Sequence, residues 1–250
     1  MSTRERTPTP ELPFGSGGFA TTRWSVVAAA AGRGPQAAAA LEQLCDSYCG
    51  PVYVFLRRTG NLPDDAADLM QGFFARLLEK RDLVSASRER GRFRAFLLGA
   101  VKHFAANQRD RERALKRGGG FRGVSLEADT AEQRFQRDLS DNRTPESAFL
   151  HRWATDLLSD VLERLGERYR LEGKAELFGE LSPHLSAEEG GVKLADSAKR
   201  LGMTENAVKV ALHRLRRRYR DLLRGVVADT LTDPADIDDE IRFLIASLQG

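Results

Sequence analysis

From about Thr22 onward the apolar positions recur at three- and four-residue intervals, a spacing that predicts helices and no strands. Trp24, Val26 and Val27 begin a short helix that Gly32-Arg33-Gly34-Pro35 ends. Leu41, Leu44, Cys45 and Tyr48 fall at i, i+3, i+4 and i+7, a core stripe on a helix from Ala37 to Cys49. Gly50-Pro51 is expected to break or kink that helix before Val52 to Thr59 resumes it. Gly60-Asn61-Leu62-Pro63 reads as a turn. Pro63, Asp64 and Asp65 then open a helix to about Lys80, because acids suit the positive end of the helix dipole. Its apolar face is Ala66, Leu69, Met70, Phe73, Phe74, Leu77 and Leu78. A longer helix from Phe93 to Lys116 turns Phe93, Phe96, Leu97, Ala100, Val101 and Phe104 inward. Beyond Arg109 it is nearly all charged, so that half is expected to project or to lie on a partner.

After Gly118-Gly119-Gly120 the periodicity fades, and residues 118–145 read as a linker with one short amphipathic stretch at Ala131 to Leu139. Pro145 restarts order. Glu146 to Tyr169 and Lys174 to Leu181 are helical, the second stopped by Ser182-Pro183. Two helices follow, Lys193 to Leu201 and Glu205 to Arg224, parted by Gly202-Met203-Thr204. Gly202 supplies a positive φ to end the first, and Thr204 caps the second, which makes this a helix-turn-helix pattern. Asp233-Pro234-Ala235-Asp236 starts a last helix with an apolar stripe of Ile237, Ile241, Leu244, Ile245 and Leu248.

Charge changes this picture more than overall composition does. The 250 residues are 41% hydrophobic and 30% charged, with a net charge of only +3. That average hides two basic blocks: Arg88 to Arg117 carries ten Lys/Arg against Glu89, Asp110 and Glu112, and Val192 to Arg220 carries nine against Asp196 and Glu205. From Asp221 the sign reverses, with seven acids against Arg224 and Arg242. Two basic blocks suit a polyanion. The acidic last helix is expected either to complete its own domain's core or, from Asp233 to Glu240, to cover the basic helix of the helix-turn-helix. Cys45 and Cys49 share one helix face and read as core thiols, since no metal-ligand set accompanies them. No apolar run reaches the roughly 18 residues of a membrane span, and residues 1–18 lack the apolar segment of a signal peptide. A disordered N-terminal arm and a cytoplasmic chain are therefore expected. No strand-borne glycine loop and no catalytic constellation stands out, so no enzyme activity, cofactor or metal is expected.

At this point a resemblance enters. Asp68-Leu69-Met70-Gln71-Gly72-Phe73-Phe74-Ala75-Arg76-Leu77 is similar to the D-L-x-Q-x-x-F-x-x-L helix of region two in bacterial RNA polymerase sigma factors. Phe93-Arg94-Ala95-Phe96-Leu97 through Asn107 and Arg111 resembles the segment that follows it, and Leu194 to Tyr219 resembles the region-four helix-turn-helix. The chain thus resembles the extracytoplasmic-function type, in an extended subgroup. It departs from the pattern at Gly72, where the family has Glu, and at Val210 and Ala211, where it has Ser and Arg; the Leu-Pro pair that opens region four is absent.

The resemblance implies an all-α fold of two small helical domains, a region-two bundle and a region-four helix-turn-helix, joined by a flexible linker, with an extra C-terminal helix. The expected divisions are 1–21 (arm), 22–117 (region two), 118–145 (linker), 146–225 (region four) and 226–250 (acidic tail). It implies no chemistry of the chain's own but binding to core RNA polymerase, at the β′ clamp helices and the β flap, and to promoter DNA, with an anti-sigma factor as a further possible partner and no membrane insertion. Asp68, Leu69, Gln71, Phe74 and Arg76 would meet polymerase. Arg92, Arg94, Lys102, Asn107, Arg109 and Arg111 would serve the minus-ten element. Thr204, Glu205, Asn206, Lys209, His213, Arg214 and Arg217 would serve the minus-thirty-five element, with Arg216 and Arg218 expected on phosphate. The segment from Arg81 to Arg92, where the family captures a flipped base, has no aromatic residue. Two other readings fit part of the sequence: a helix-turn-helix regulator acting without polymerase, and a module whose basic faces bind acidic proteins.

Overall fold

The computed structural model describes residues 24–32, 34–80, 92–115, 132, 142–185, 194–231 and 233–249. Among them the chain is all-helical, with no strand. In order, α1 spans Trp24–Ala30, α2 Pro35–Arg58, α3 Pro63–Lys80 and α4 Phe93–Leu115. Then come α5 (Pro145–Leu171), α6 (Ala175–Leu181), α7 (Ala195–Arg200), α8 (Glu205–Ala228) and α9 (Ile237–Gln249). Single 3-10 turns, Ser182–His184 and Pro234–Asp236, follow α6 and precede α9. The expected arm (1–21), the flipped-base segment before Arg92, and all of the expected linker from 118 to 141 except Glu132 lie outside the described residues.

The expected break at Gly50-Pro51 does not occur: α2 runs through it. Proline removes one backbone bond, but Leu44, Tyr48, Val52, Phe55 and Leu56 lie on both sides of it in one core, and their burial outweighs that loss. Cys45 and Cys49 are free thiols in this core, as their spacing implied. At the end of α2, Arg57 grips Glu132 with two bonds of 2.8 Å, and the Tyr53 hydroxyl donates to the same carboxylate at 2.8 Å.

Helix α5 organises the rest. Thr144 caps it, accepting the Ser147 N–H at 3.2 Å, and Pro145 fills its first position. Its first half sends Phe149, Trp153, Leu157 and Val161 into the core built by α1 to α4. Its second half sends Leu165 and Tyr169 into a separate cluster with Leu181, Leu194, Ala198, Val208, Leu212 and Leu215. Helix α9 packs on the first of these cores, against α5 and the end of α8. Within its stripe Leu244 is fully buried, and Ile237, Ile241 and Leu248 are partly so. Ile245, expected inside, is instead 47% exposed, and Phe243 takes the inward place.

Candidate nucleic-acid interface

The turn between α7 and α8 forms as its residues dictate. Gly202 adopts φ 61°, and the N–H groups of Gly202 and Met203 close back on Lys199 and Ala198 at 3.3 and 2.9 Å. Thr204 is extended, and its Oγ1 accepts the Ala207 N–H at 3.2 Å. Val208, Leu212 and Leu215 hold α8 down. The opposite side of the helix therefore faces solvent, and Thr204, Glu205, Asn206, Lys209, His213, Arg214 and Arg217 are all exposed there. Glu205, Lys209, His213 and Arg217 follow one another at i, i+4 along a single ridge. The structure brings this expected set together on one open face.

Two neighbouring arginines, expected on phosphate, also hold α8 in place. Arg216 donates to the His184 carbonyl at 3.0 Å. Arg218 lies over the Tyr169 ring, 5.0 Å from its centroid, and reaches Glu172 at 2.9 Å. Both fasten α8 to its support, and Arg218 remains 46% exposed while it does so. On the other flank Glu180 receives the Ser197 hydroxyl at 2.8 Å and the Arg200 Nε at 2.9 Å. Those partners, Arg200 first and Ser197 next, hold its carboxyl down to about 2.

The basic set on α4 divides in two. Asn107, Arg109 and Arg111 are exposed along its second half, and Lys102 is exposed but paired with Glu146 at 2.7 Å. At its start Arg94 is closed off, and Arg92 is half-buried beside it. Arg94 is 5% exposed. Its guanidinium lies between two rings, 4.6 Å from the centroid of Trp153 and 4.5 Å from that of Phe243. Its Nη1 donates to Glu240 Oε1 and its Nη2 to Glu240 Oε2 at 3.0 Å. Arg92 Nε meets Glu240 Oε2 at 2.7 Å. Burial pulls the Arg94 guanidinium below its ordinary value, and the Glu240 carboxylate opposes that pull. Arg94, expected on DNA, is thus enclosed in this arrangement by α9 and α5.

The expected polymerase-facing set also splits. Asp68 is exposed, and Leu69, Gln71 and Arg76 are half-buried around it. Partial burial, then the neighbouring Asp65 and Asp64, raises the Asp68 carboxyl above its ordinary value. Phe74 is only 1% exposed and meets the Phe73 ring at 5.3 Å, so it is a core residue with no face to offer a partner.

Trp153 and Phe243 were not among the expected site residues, and Glu240 was expected over the helix-turn-helix. A signal was there. Glu240 stands three residues after Ile237 and four before Leu244, and Arg94 stands three before Leu97 and seven before Val101. Each charge sits on an apolar stripe, where a buried charge demands a partner. The acidic helix also does not cover Lys209 to Arg217; its carboxylate closes the α4 arginines instead.

Fold and geometry together define an all-helical chain bearing a helix-turn-helix with an open cationic ridge, and a second cationic site occupied by its own tail. No known family model, no curated protein and no solved structure matches the chain. No helix among the described residues is long and apolar enough to cross a membrane.

Proposed function

We propose that the chain is a sigma factor of the extracytoplasmic-function type, a cytoplasmic adaptor that binds core RNA polymerase and directs it to promoters. The observation that carries this reading is the open ridge of α8 behind the capped turn at Gly202 to Thr204. A helix presented in this way fits the major groove, where Asn206 suits adenine and Lys209 suits guanine. Arg214 and Arg217 stand beside them for phosphate, which sets affinity and register. Two further features support the reading. Asp68, Gln71 and Arg76 give α3 a polar outer side suited to a protein partner. Asn107, Arg109 and Arg111 extend a second cationic surface along α4, in the order the sigma pattern requires. A regulator that acts without polymerase leaves the α3 face and the second surface without a task.

Run-off transcription with purified core polymerase and a library of bacterial genomic fragments tests the reading. Discrete start sites that appear only when the chain is added are the expected result. Tight duplex binding with no stimulated transcription overturns it in favour of a helix-turn-helix regulator acting alone.

A further inference from the structure

Within that reading, we infer that α9 is a latch on a single-strand-binding face, with the Glu240 carboxylate occupying the place that a nucleic-acid phosphate takes when the latch opens. Three observations converge. First, Glu240 is fully buried, and both Arg92 and Arg94 close on it, Arg94 through both of its terminal nitrogens. Arginine offers a carboxylate and a phosphate the same fork of donors, so one can replace the other at this site. Second, Phe243, on the same helix, lies against the Arg94 guanidinium, 4.5 Å from its ring centroid, beside Trp153 at 4.6 Å. Opening α9 takes Glu240 away from both arginines and Phe243 away from Arg94, which lies over the Trp153 ring. Cations beside an aromatic face are what unstacked bases and their phosphates bind. The expected flipped-base segment lacks an aromatic residue, and Trp153 supplies one from a different helix.

Third, the polar fastenings of α9 are few and lie mostly at its ends. Arg224 pairs with Asp238 at its start, where Asp238 is exposed and Arg224 is partly so. Near its other end the Ser247 carbonyl lies 3.1 Å from His151 Nδ1, and the Leu248 carbonyl accepts from Arg143 Nη2 at 3.4 Å. Between them stand Glu240, the fully buried Leu244 and the partly buried Ile241 and Phe243. Single-stranded nucleic acid and α9 thus compete for one site. A chain that is open only about a tenth of the time shows an affinity reduced about tenfold.

The test follows Trp153 emission and the binding of a fluorescein-labelled single-stranded thymidine 20-mer, with Trp24→Phe as the background to leave one indole. Glu240→Gln is expected to shift Trp153 emission to the red and tighten the 20-mer about tenfold. The salt dependence should steepen by about 1.4, two phosphates at roughly 0.7 each. Asp238→Asn, at the exposed fastening, should move both readouts the same way by less. Red-shifted emission with unchanged affinity for a 20-mer that does bind overturns the latch and leaves the DNA-binding reading standing. No binding of single strand or duplex by any variant at low salt overturns the reading, and the latch with it. Because Glu240→Gln also removes a buried partner of two arginines, the unaltered protein provides a second measurement that does not depend on the variant's fold. Backbone amide exchange over 237–249 should accelerate when the 20-mer saturates the chain, and exchange that stays as slow as in the free protein overturns the latch.

Discussion

On α8, Lys209, His213 and Arg217 succeed one another every four residues, and all three stand in solvent. On α4, Arg92 and Arg94 open the helix, and both are bound to one buried carboxylate. In the sequence the two groups look alike, each a run of cations in a basic block. The neighbours on each helix separate them. Lys209, His213 and Arg217 fall between the buried positions Val208, Leu212 and Leu215, on the far side of the helix. Arg94 falls in line with Leu97 and Val101, on the buried side. A cation on the far side is available at once, whereas a cation on the inner side must be neutralised and becomes available only if its partner withdraws.

The sharpest way to break this comparison is to delete one cation from each helix. Arg94→Ala leaves Glu240 buried beside Arg92 alone and removes the group between Trp153 and Phe243. It should cost about 3–5 kcal/mol of stability, the usual result of unpairing a buried charge. Lys209→Ala should alter stability by less than about 0.5 kcal/mol, yet weaken duplex binding by about 1–3 kcal/mol if Lys209 reads a base. Urea denaturation and fluorescence anisotropy on both variants decide it. Arg94→Ala with native stability and lost binding would reverse the assignment of the two sites.

Replacing both partners sharpens the point, because breaking an ion pair confuses its net contribution with the penalty of the charge left behind. Arg94→Met with Glu240→Leu keeps the volume and removes the buried charge. Stability is expected to be unchanged or up to about 4 kcal/mol higher. A double variant that melts well below the parent would show that the pair exists for stability, and the case for a releasable Glu240 would lose its basis.

The α8 ridge depends on its support, and Gly166 is where that support is tightest. A Cβ at Gly166 would lie 2.9 Å from the Phe178 ring. Gly166→Ala should therefore cost about 1–3 kcal/mol through overpacking, less the roughly 0.5–1 kcal/mol that alanine gains over glycine within a helix. Duplex affinity should fall with it, while Trp153 emission stays put because α4 and α9 meet α5 further toward its start. Movement of both readouts would mean that the two ends of α5 do not act separately.

Much of this was legible before any coordinates. The helix boundaries followed from periodicity and local signals: Pro63 with Asp64 and Asp65, Pro145, and Gly202 with Thr204 act through local backbone chemistry that needs no tertiary context. The α8 ridge was legible for the same reason, since one helix fixes which of its own residues point together. What sequence could not supply was any pairing between distant residues. Arg94 and Glu240 are 146 positions apart, and each alone looked like part of a solvated charge run. Of the break or kink expected at Gly50-Pro51, the break does not form, because the core on both sides of Pro51 overrides a local preference. Phe74 read as a partner contact because its motif supplied a role before its burial was known.

The smallest expected effect concerns acid, and it separates how the two sites are held. The support of α8 rests on exposed carboxylates: Arg200 and Ser197 hold Glu180 at about 2, and Lys174 and Arg218 hold Glu172 below its ordinary 4.5. A carboxylate depressed in the folded chain stabilises fully above its unfolded value and loses that contribution as pH falls through the folded one. Glu180→Gln should therefore be less stable than the parent by a constant margin from pH 7 to about 5, and the margin should close between 4.5 and about 2. Asp160, on the buried side of α5, has the opposite sign. Burial raises its carboxyl above the ordinary 3.8, with Arg164 pulling the other way. Its cost is present at neutral pH, above the folded value, and disappears below 3.8. Asp160→Asn should therefore exceed the parent in stability at pH 7 and lose that advantage in acid. Urea midpoints of the two variants and the parent, taken at half-unit steps from pH 7 to 2.5, give both curves. If Glu180→Gln and the parent keep a fixed separation down to pH 2.5, the Glu180 bonds contribute nothing to holding α7 and α8, and the ridge is positioned by its apolar face alone.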